Sequence, residues 1–247
     1  MSGDWKPLGR VSHIARYPLK AAGGEALDSS RIGWHGVSND RGFALLRTGD
    51  PSGLPWVSSR QFPRILRWTA STVPTSTALR IATPDRDWLI DPKDLAARAA
   101  FAEFATDALG EPLMLVRLWS GTHDAMPVSV ISTATMRAVA DLAGAGDPAW
   151  QRFRPNVVIE TDPGRSWPER QWLGRELRLG DGNDAAILRV DRHTTRCEVL
   201  DLAPGSGADD NLGLFAAVRS ANRNRAGVYA TPRHVGEVTV GGTVWLR

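Results

Sequence analysis

Short alternating apolar segments, each closed by glycine, proline or aspartate, run through most of this chain and constrain its fold more than any other feature. Alternation at a spacing of two buries one face of a strand, whereas a helix needs apolar residues three and four apart. Residues 11–17 alternate; Pro18 then restricts the backbone and Gly23-Gly24 permits a tight turn. Segments 42–47, 64–68, 78–82 and 85–90 continue the strand series, followed by 111–119, 156–160, 172–180 and 185–190. Residues 236–246 read as two short strands about a glycine turn. Helical signals are few. Asp91 can cap a helix with Pro92 at its first position, and Leu95, Ala99, Ala102 and Ala105, with Phe101 and Phe104, form an apolar face as far as Leu109, where Gly110 ends it. Ser132 can cap a second helix carried by Met136, Val139, Ala140 and Ala143 and ended at Gly144, and residues 212–220 suit a third. Many short strands with few helices predict a mainly β, barrel-like architecture rather than a Rossmann sheet.

Several functions drop out on composition and motif. No apolar run approaches the roughly 20 residues needed to span a bilayer, and the first seven residues lack the apolar core of a secretory signal. A cytoplasmic protein without a membrane partner is the expectation. No lysine-arginine tract or aromatic-basic repeat marks a nucleic-acid surface, and the ten tryptophans are scattered. Dinucleotide, Walker, nucleophile-elbow and His-Glu-x-x-His motifs are missing. The chain has only three lysines, Lys6, Lys20 and Lys93, within a total of 30 lysines and arginines. Arginine grips planar oxyanions in a rigid fork, so an anionic ligand is easily accommodated, although genomic base composition produces the same bias.

One cysteine, Cys197, stands in the polar run Asp191-Arg192-His193-Thr194-Thr195-Arg196-Cys197-Glu198. A lone thiol excludes an intrachain disulfide and an iron–sulfur cluster held by this chain alone. Positive charge and hydroxyl donors would stabilise a thiolate here, which suits a soft metal ligand or a nucleophile. A half-buried thiol at a strand end is the alternative. His193, four residues earlier, would share a strand face with Cys197, so a Cys–His pair is a further candidate. In Arg152-Phe153-Arg154-Pro155-Asn156, Arg154 and Asn156 would point the same way from a strand start, offering a charged fork and an amide.

These segments carry a resemblance. Tyr17-Pro18-Leu19-Lys20, Asp40-Arg41-Gly42-Phe43 and Ser59-Arg60-Gln61-Phe62-Pro63-Arg64 are followed in order by Phe153-Arg154-Pro155-Asn156-Val157-Val158, Arg196-Cys197, Gly227-Val228-Tyr229 and residues 236–244. The ordered set resembles the molybdenum cofactor sulfurase C-terminal domain (MOSC) family in its two-part form, in the branch of the amidoxime-reducing components. The resemblance implies a mainly β chain with a few helices: a β-barrel MOSC domain at 111–247 packed on a smaller N-terminal β-barrel-like subdomain at 1–92, joined by a helical connection at 93–110. It implies the molybdenum cofactor, Mo-molybdopterin, with Cys197 as the metal's protein thiolate. Lys20, Arg41, Ser132, Thr133, Arg154, Asn156 and Arg196 would bind the cofactor, the helix N-terminus at Ser132 receiving phosphate. Thr195 and Arg196 would adjoin the metal, Arg196 favouring the thiolate. Ala21 stands where relatives often carry a small polar residue. The implied activity is a molybdenum-dependent oxidoreductase that reduces N-oxygenated small molecules, its electrons coming from a separate ferredoxin, flavoprotein or cytochrome b5-like protein. Two alternatives remain open: a sulfur or cofactor carrier using Cys197, and an anion-binding module with an inert thiol.

Overall fold

A computed structural model describes residues 4–247. In chain order its elements are β1 (Lys6–Arg16), β2 (Glu25–Leu27), β3 (Ser29–Gly33), β4 (Gly36–Val37), β5 (Phe43–Arg47), β6 (Thr69–Thr72), β7 (Leu79–Ala82), β8 (Asp87–Ile90), α1 (Leu95–Leu109) and β9 (Leu113–Arg117). Then follow β10 (Val128–Ser132), α2 (Thr133–Ala143), β11 (Val157–Glu160), β12 (Glu176–Leu179), β13 (Ala186–Thr195), α3 (Leu214–Asn222), β14 (Arg225–His234), β15 (Gly236–Thr239) and β16 (Thr243–Leu246).

Seven strands close a barrel in the order β11-β10-β14-β13-β12-β16-β1, with β1 returning to β11. Neighbours are antiparallel except β10 and β11, which are parallel because α2 carries the chain between them as a crossover. Inward β-branched and leucine residues fill the barrel, among them Val11, Val130, Val157, Leu188, Val228 and Val244, with Trp172 buried among them. Strand β1 comes from the start of the chain yet pairs with β11 and β16, so the barrel is built from both ends of the sequence.

The smaller unit has its own core. Strands β6, β7 and β8 form an antiparallel meander, β5 pairs with β9, and Phe101 and Phe104 of α1 pack on Trp68 and Trp88 with ring centroids 5.3–5.9 Å apart. Leu95, expected on that apolar face, sits in the first turn outside the contact and is exposed.

Two local expectations change. Residues 63–67 form a 3-10 turn rather than a strand, since Ile65 and Leu66 are both buried in succession, which alternation forbids. Helix α1 is capped by Asp94, whose carboxylate accepts the Ala97 N–H at 3.0 Å; Asp91 instead accepts the Lys93 N–H in a turn of its own. Residues 236–246 form two short strands about the turn at Gly241-Gly242, as expected, β16 entering the barrel and β15 joining β3. Ser132 caps α2 by accepting the Thr135 N–H at 3.0 Å, and Gly110 and Gly144 end their helices in left-handed geometry, as expected.

Candidate functional site

A cavity of about 190 Å³ opens where the smaller unit meets the end of the barrel, and Lys20, Arg41, Arg154, Thr194, Arg196 and Cys197 line it. Its walls are held by unusual backbone. Ala21, Arg41 and Arg154 all adopt positive φ, at 71°, 52° and 48°. Left-handed geometry costs a non-glycine residue roughly 1–2 kcal/mol, so its clustering here marks a site whose side-chain directions the rest of the fold enforces.

Each cation has a different anchorage. Lys20 is buried; its Nζ donates to the Thr122 carbonyl at 2.7 Å and pairs with the exposed Asp124 carboxylate at the rim. Burial draws its ammonium below the ordinary lysine value, with Asp124 opposing. Arg41 pairs with the buried Asp40, which also accepts the Tyr17 N–H at 2.7 Å. The Arg41 and Arg154 guanidinium carbons lie 4.8 and 4.5 Å from the Tyr17 ring centroid, so two cations converge on one aromatic ring. Burial pushes the Tyr17 phenol up to about 12, and its hydroxyl donates to the Pro155 carbonyl at 3.2 Å.

Arg154 differs from its neighbours. Among the described residues the ion pairs of this cavity engage Lys20, Arg41, Arg60 and Arg152 and leave Arg154, like the backbone-bonded Arg196, without a carboxylate. Burial lowers its guanidinium below the ordinary value, and Arg41 adds to that against the opposing Tyr17. It remains a cation at neutral pH, because arginine starts so far above it. Asp124 and Asp40 oppose the shift from a distance, but a buried cation that pairs directly with neither is well suited to receive an anion.

At the other end, Cys197 is partly buried just beyond β13. Arg196 donates from Nε to the Ala226 carbonyl at 2.7 Å and from Nη1 to the Phe153 carbonyl at 2.6 Å. Two of its three nitrogens are thus committed to backbone, which makes Arg196 a strut across the cavity before it is a partner for the thiol. Gly227, at φ +83°, makes room for it: a Cβ there would stand 2.7 Å from the Val130 carbonyl oxygen and 3.1 Å from Arg196 Nη2. Thr195 is exposed on the rim, whereas Thr194 is buried in the wall.

The structure brings Lys20, Arg41, Arg154, Thr195, Arg196 and Cys197 together, and leaves Ser132, Thr133 and Asn156 outside the cavity. Ser132 and Thr133 lie at the far end of β10, where the helix N-terminus already holds a carboxyl group from the chain itself. Glu169, buried, accepts the Ser132 N–H at 2.7 Å and the Thr135 hydroxyl. Burial raises its carboxyl above the ordinary range against the pull of those donors. Thr133 Oγ1 accepts the Thr161 N–H at 3.3 Å. Asn156 is also engaged within the fold: Oδ1 accepts from Ser129 N at 3.0 Å and Ser129 Oγ at 3.1 Å, while Nδ2 donates to the Ala15 carbonyl at 3.3 Å. Strand alternation cannot align Arg154 with Asn156, because Arg154 is left-handed and β11 begins only at Val157. His193 does not join Cys197 in the cavity: a bulge separates His193 from Thr195, and β13 ends before the cysteine.

Sequence reasoning missed Ser129, Tyr229 and Asp124 as cavity residues. Ser129 and Tyr229 are partners in the β10–β14 register, a pairing that spans a hundred residues and leaves no local signal. Asp124 could be found only by noticing a carboxylate short of β10 on a loop that returns to Lys20.

Comparison with known families places this geometry. A MOSC domain matches residues 118–245 and a MOSC N-terminal β-barrel domain matches residues 8–110, so the chain belongs to the MOSC family. MOSC domains occur in molybdenum cofactor sulfurase-like proteins and their relatives. Among solved structures, the YuaD protein from Bacillus subtilis matches with a TM-score of 0.51 at 13% identity, covering 98% of each chain, which shows a shared fold. A hypothetical protein matches with a TM-score of 0.42 at 9% identity, over 97% of this chain and 68% of its own. No curated protein matches the chain. Among the described residues no helix is long and apolar enough to cross a membrane.

Proposed function

We propose that this protein binds the molybdenum cofactor in the Cys197 cavity and reduces N-oxygenated small molecules with electrons from a separate redox protein. One observation carries the reading: the chain's only thiol shares a cavity with Lys20, Arg41, Arg196 and an Arg154 guanidinium that lacks a carboxylate. The residues suit a phosphate-bearing group with a soft metal. When bound, the cofactor supplies two-electron oxygen-atom transfer at molybdenum. Cys197 would contribute a thiolate, the ligand type such a metal prefers. Arg154 would pair with the phosphate, with Lys20 and Arg41 beside it supplying further donors. Among the described residues no three His, Cys, Asp or Glu side chains gather as a metal site, so the protein itself offers one strong ligand and the rest would arrive with the cofactor. Ser129 and Asn156 brace the Arg154 turn; Ser129 Oγ lies 3.4 Å from the Arg154 carbonyl.

Metal analysis, with fluorescence of the oxidised pterin released on denaturation, tests the reading. Stoichiometric molybdenum and pterin are expected, together with reduction of N-hydroxylated compounds. Cys197→Ser should abolish that turnover while leaving the unfolding midpoint unchanged. Metal-free protein bearing a labile sulfane sulfur at Cys197 would replace the oxidoreductase with a carrier.

A further inference from the structure

Of the chain's ten tryptophans only Trp34 and Trp119 are exposed, at 64% and 81%. Both line one cavity of about 360 Å³, which shares no lining residue with the Cys197 cavity. Its walls are the β3–β4 hairpin, the β6–β7 turn and the loop after β9. Water-facing indoles at one cavity are informative, because folded chains bury most of their aromatic surface. The two loops that carry them are locked together. Gly36, at φ +95°, closes the hairpin of Trp34, and a Cβ there would stand 2.3 Å from the carbonyl oxygen of Pro127, in the loop of Trp119. Arg117 faces Phe43 across the β5–β9 pair; its guanidinium carbon lies 5.6 Å from the Phe43 ring centroid and 4.2 Å from that of Trp119. Among the described residues it has no ion-pair partner, and Asp40, the one acidic residue lining this cavity, is committed to Arg41 and the Tyr17 N–H. A guanidinium stacked on a ring keeps its N–H edge for an acceptor.

We propose that the cavity of Trp34, Trp119 and Arg117 binds a planar aromatic or heteroaromatic ring carrying a phosphate or carboxylate. The exposed indoles offer faces on which the ring stacks. The Arg117 edge takes the anionic group as a charge-assisted hydrogen-bond donor. Both parts of the ligand count: a neutral ring forgoes the ion pair, and an anion without a ring forgoes the stack. A cavity of this size suits one small molecule. The site is separate from the Cys197 cavity and needs no molybdenum.

Calorimetric titration of the full chain tests the site with AMP and benzoate as anionic probes, adenosine and benzamide as their neutral counterparts, and inorganic phosphate as the anion without a ring. Wild-type protein should bind at least one anionic probe saturably and about tenfold more tightly than its neutral counterpart, as one charged hydrogen bond would give. Which probe wins tells a phosphate ligand from a carboxylate. Arg117→Gln should remove the anion preference and leave the neutral probe's affinity in place. Trp34→Ala and Trp119→Ala should each weaken both forms about tenfold, the loss of one ring stack. The two indoles are exposed, so both variants should keep the wild-type unfolding midpoint. Arg154→Met should change none of these affinities. The site is overturned if neither anionic probe saturates, if inorganic phosphate binds as tightly as AMP, if the tryptophan variants bind as wild type does, or if Arg154→Met abolishes binding where Arg117→Gln does not. A wild-type dimer that Trp119→Ala makes monomeric would assign the indoles to a second copy of the chain and overturn it too. Molybdenum content enters none of these outcomes, so the proposed oxidoreductase and this site stand or fall separately.

Discussion

Two places in this molecule attract negative charge, and they have opposite fates. The N-terminus of α2 receives Glu169, a carboxyl group from the chain itself, buried and bonded to Ser132 N–H and the Thr135 hydroxyl. The Cys197 cavity gathers Arg41, Arg154 and Arg196 and gives Arg154 no carboxylate among the described residues. The first is an anion site satisfied by folding; the second is left for a ligand. Cations and helix ends are thus only half of a binding site. The other half is what the rest of the chain withholds.

The contrast can be broken by mutation. Glu169→Ala should cost about 2–4 kcal/mol, because two buried donors lose their acceptor. Its unfolding midpoint should fall while cofactor or anion content per folded molecule stays constant. Loss of bound cofactor with no loss of stability would reverse the roles assigned to the two places. Arg154→Met should do the opposite. Removing an uncompensated charge is neutral or stabilising to the fold, whereas losing one guanidinium-to-phosphate contact should weaken cofactor retention by tenfold or more, at about 1.5–3 kcal/mol per charged hydrogen bond. Dialysis followed by metal analysis, alongside thermal unfolding, separates the two effects.

A smaller effect follows from pH. Glu169 has an ordinary value of 4.5, raised in the folded protein mainly by burial. A carboxyl with a raised folded-state value favours the fold most when protonated, so its contribution is complete below 4.5 and is lost as pH climbs through the higher folded value. Glu169→Gln mimics the protonated form and removes that dependence. The unfolding temperature of the wild type should therefore fall behind that of Glu169→Gln as pH rises from acid toward neutrality. A constant difference between the two would mean that Glu169 does not titrate abnormally.

Much of the site was legible because its residues sit in ordered local motifs. Lys20, Arg41, Arg154, Arg196 and Cys197 converge although they are spread over 178 positions. Their convergence rests on the resemblance rather than on spacing, since nothing local links Lys20 to Cys197. Ser132 shows the limit. Its cap on α2 was readable from Ser132 and the apolar face behind it, but its distance from the cavity was not. That depended on a carboxylate at position 169 folding back beneath the helix, from a 3-10 turn over Pro168–Gln171. Asn156 shows a second limit: strand alternation predicts its direction only where backbone is extended, and the left-handed Arg154 breaks the pattern just before it.

What the sequence by itself determined is the material of the fold: strand alternation, glycine at helix ends, hydroxyl and carboxylate caps, one thiol and many guanidinium groups. These follow from interactions within a few residues, where backbone geometry and side-chain chemistry suffice. Only the tertiary structure decided which charges are cancelled and which stay open. Register across the closed barrel sets Ser129 against Tyr229, and the approach of the smaller unit sets Lys20 and Arg41 beside Arg154. Electrostatic balance depends on distances between residues far apart in the chain, and those distances do not exist until the barrel closes.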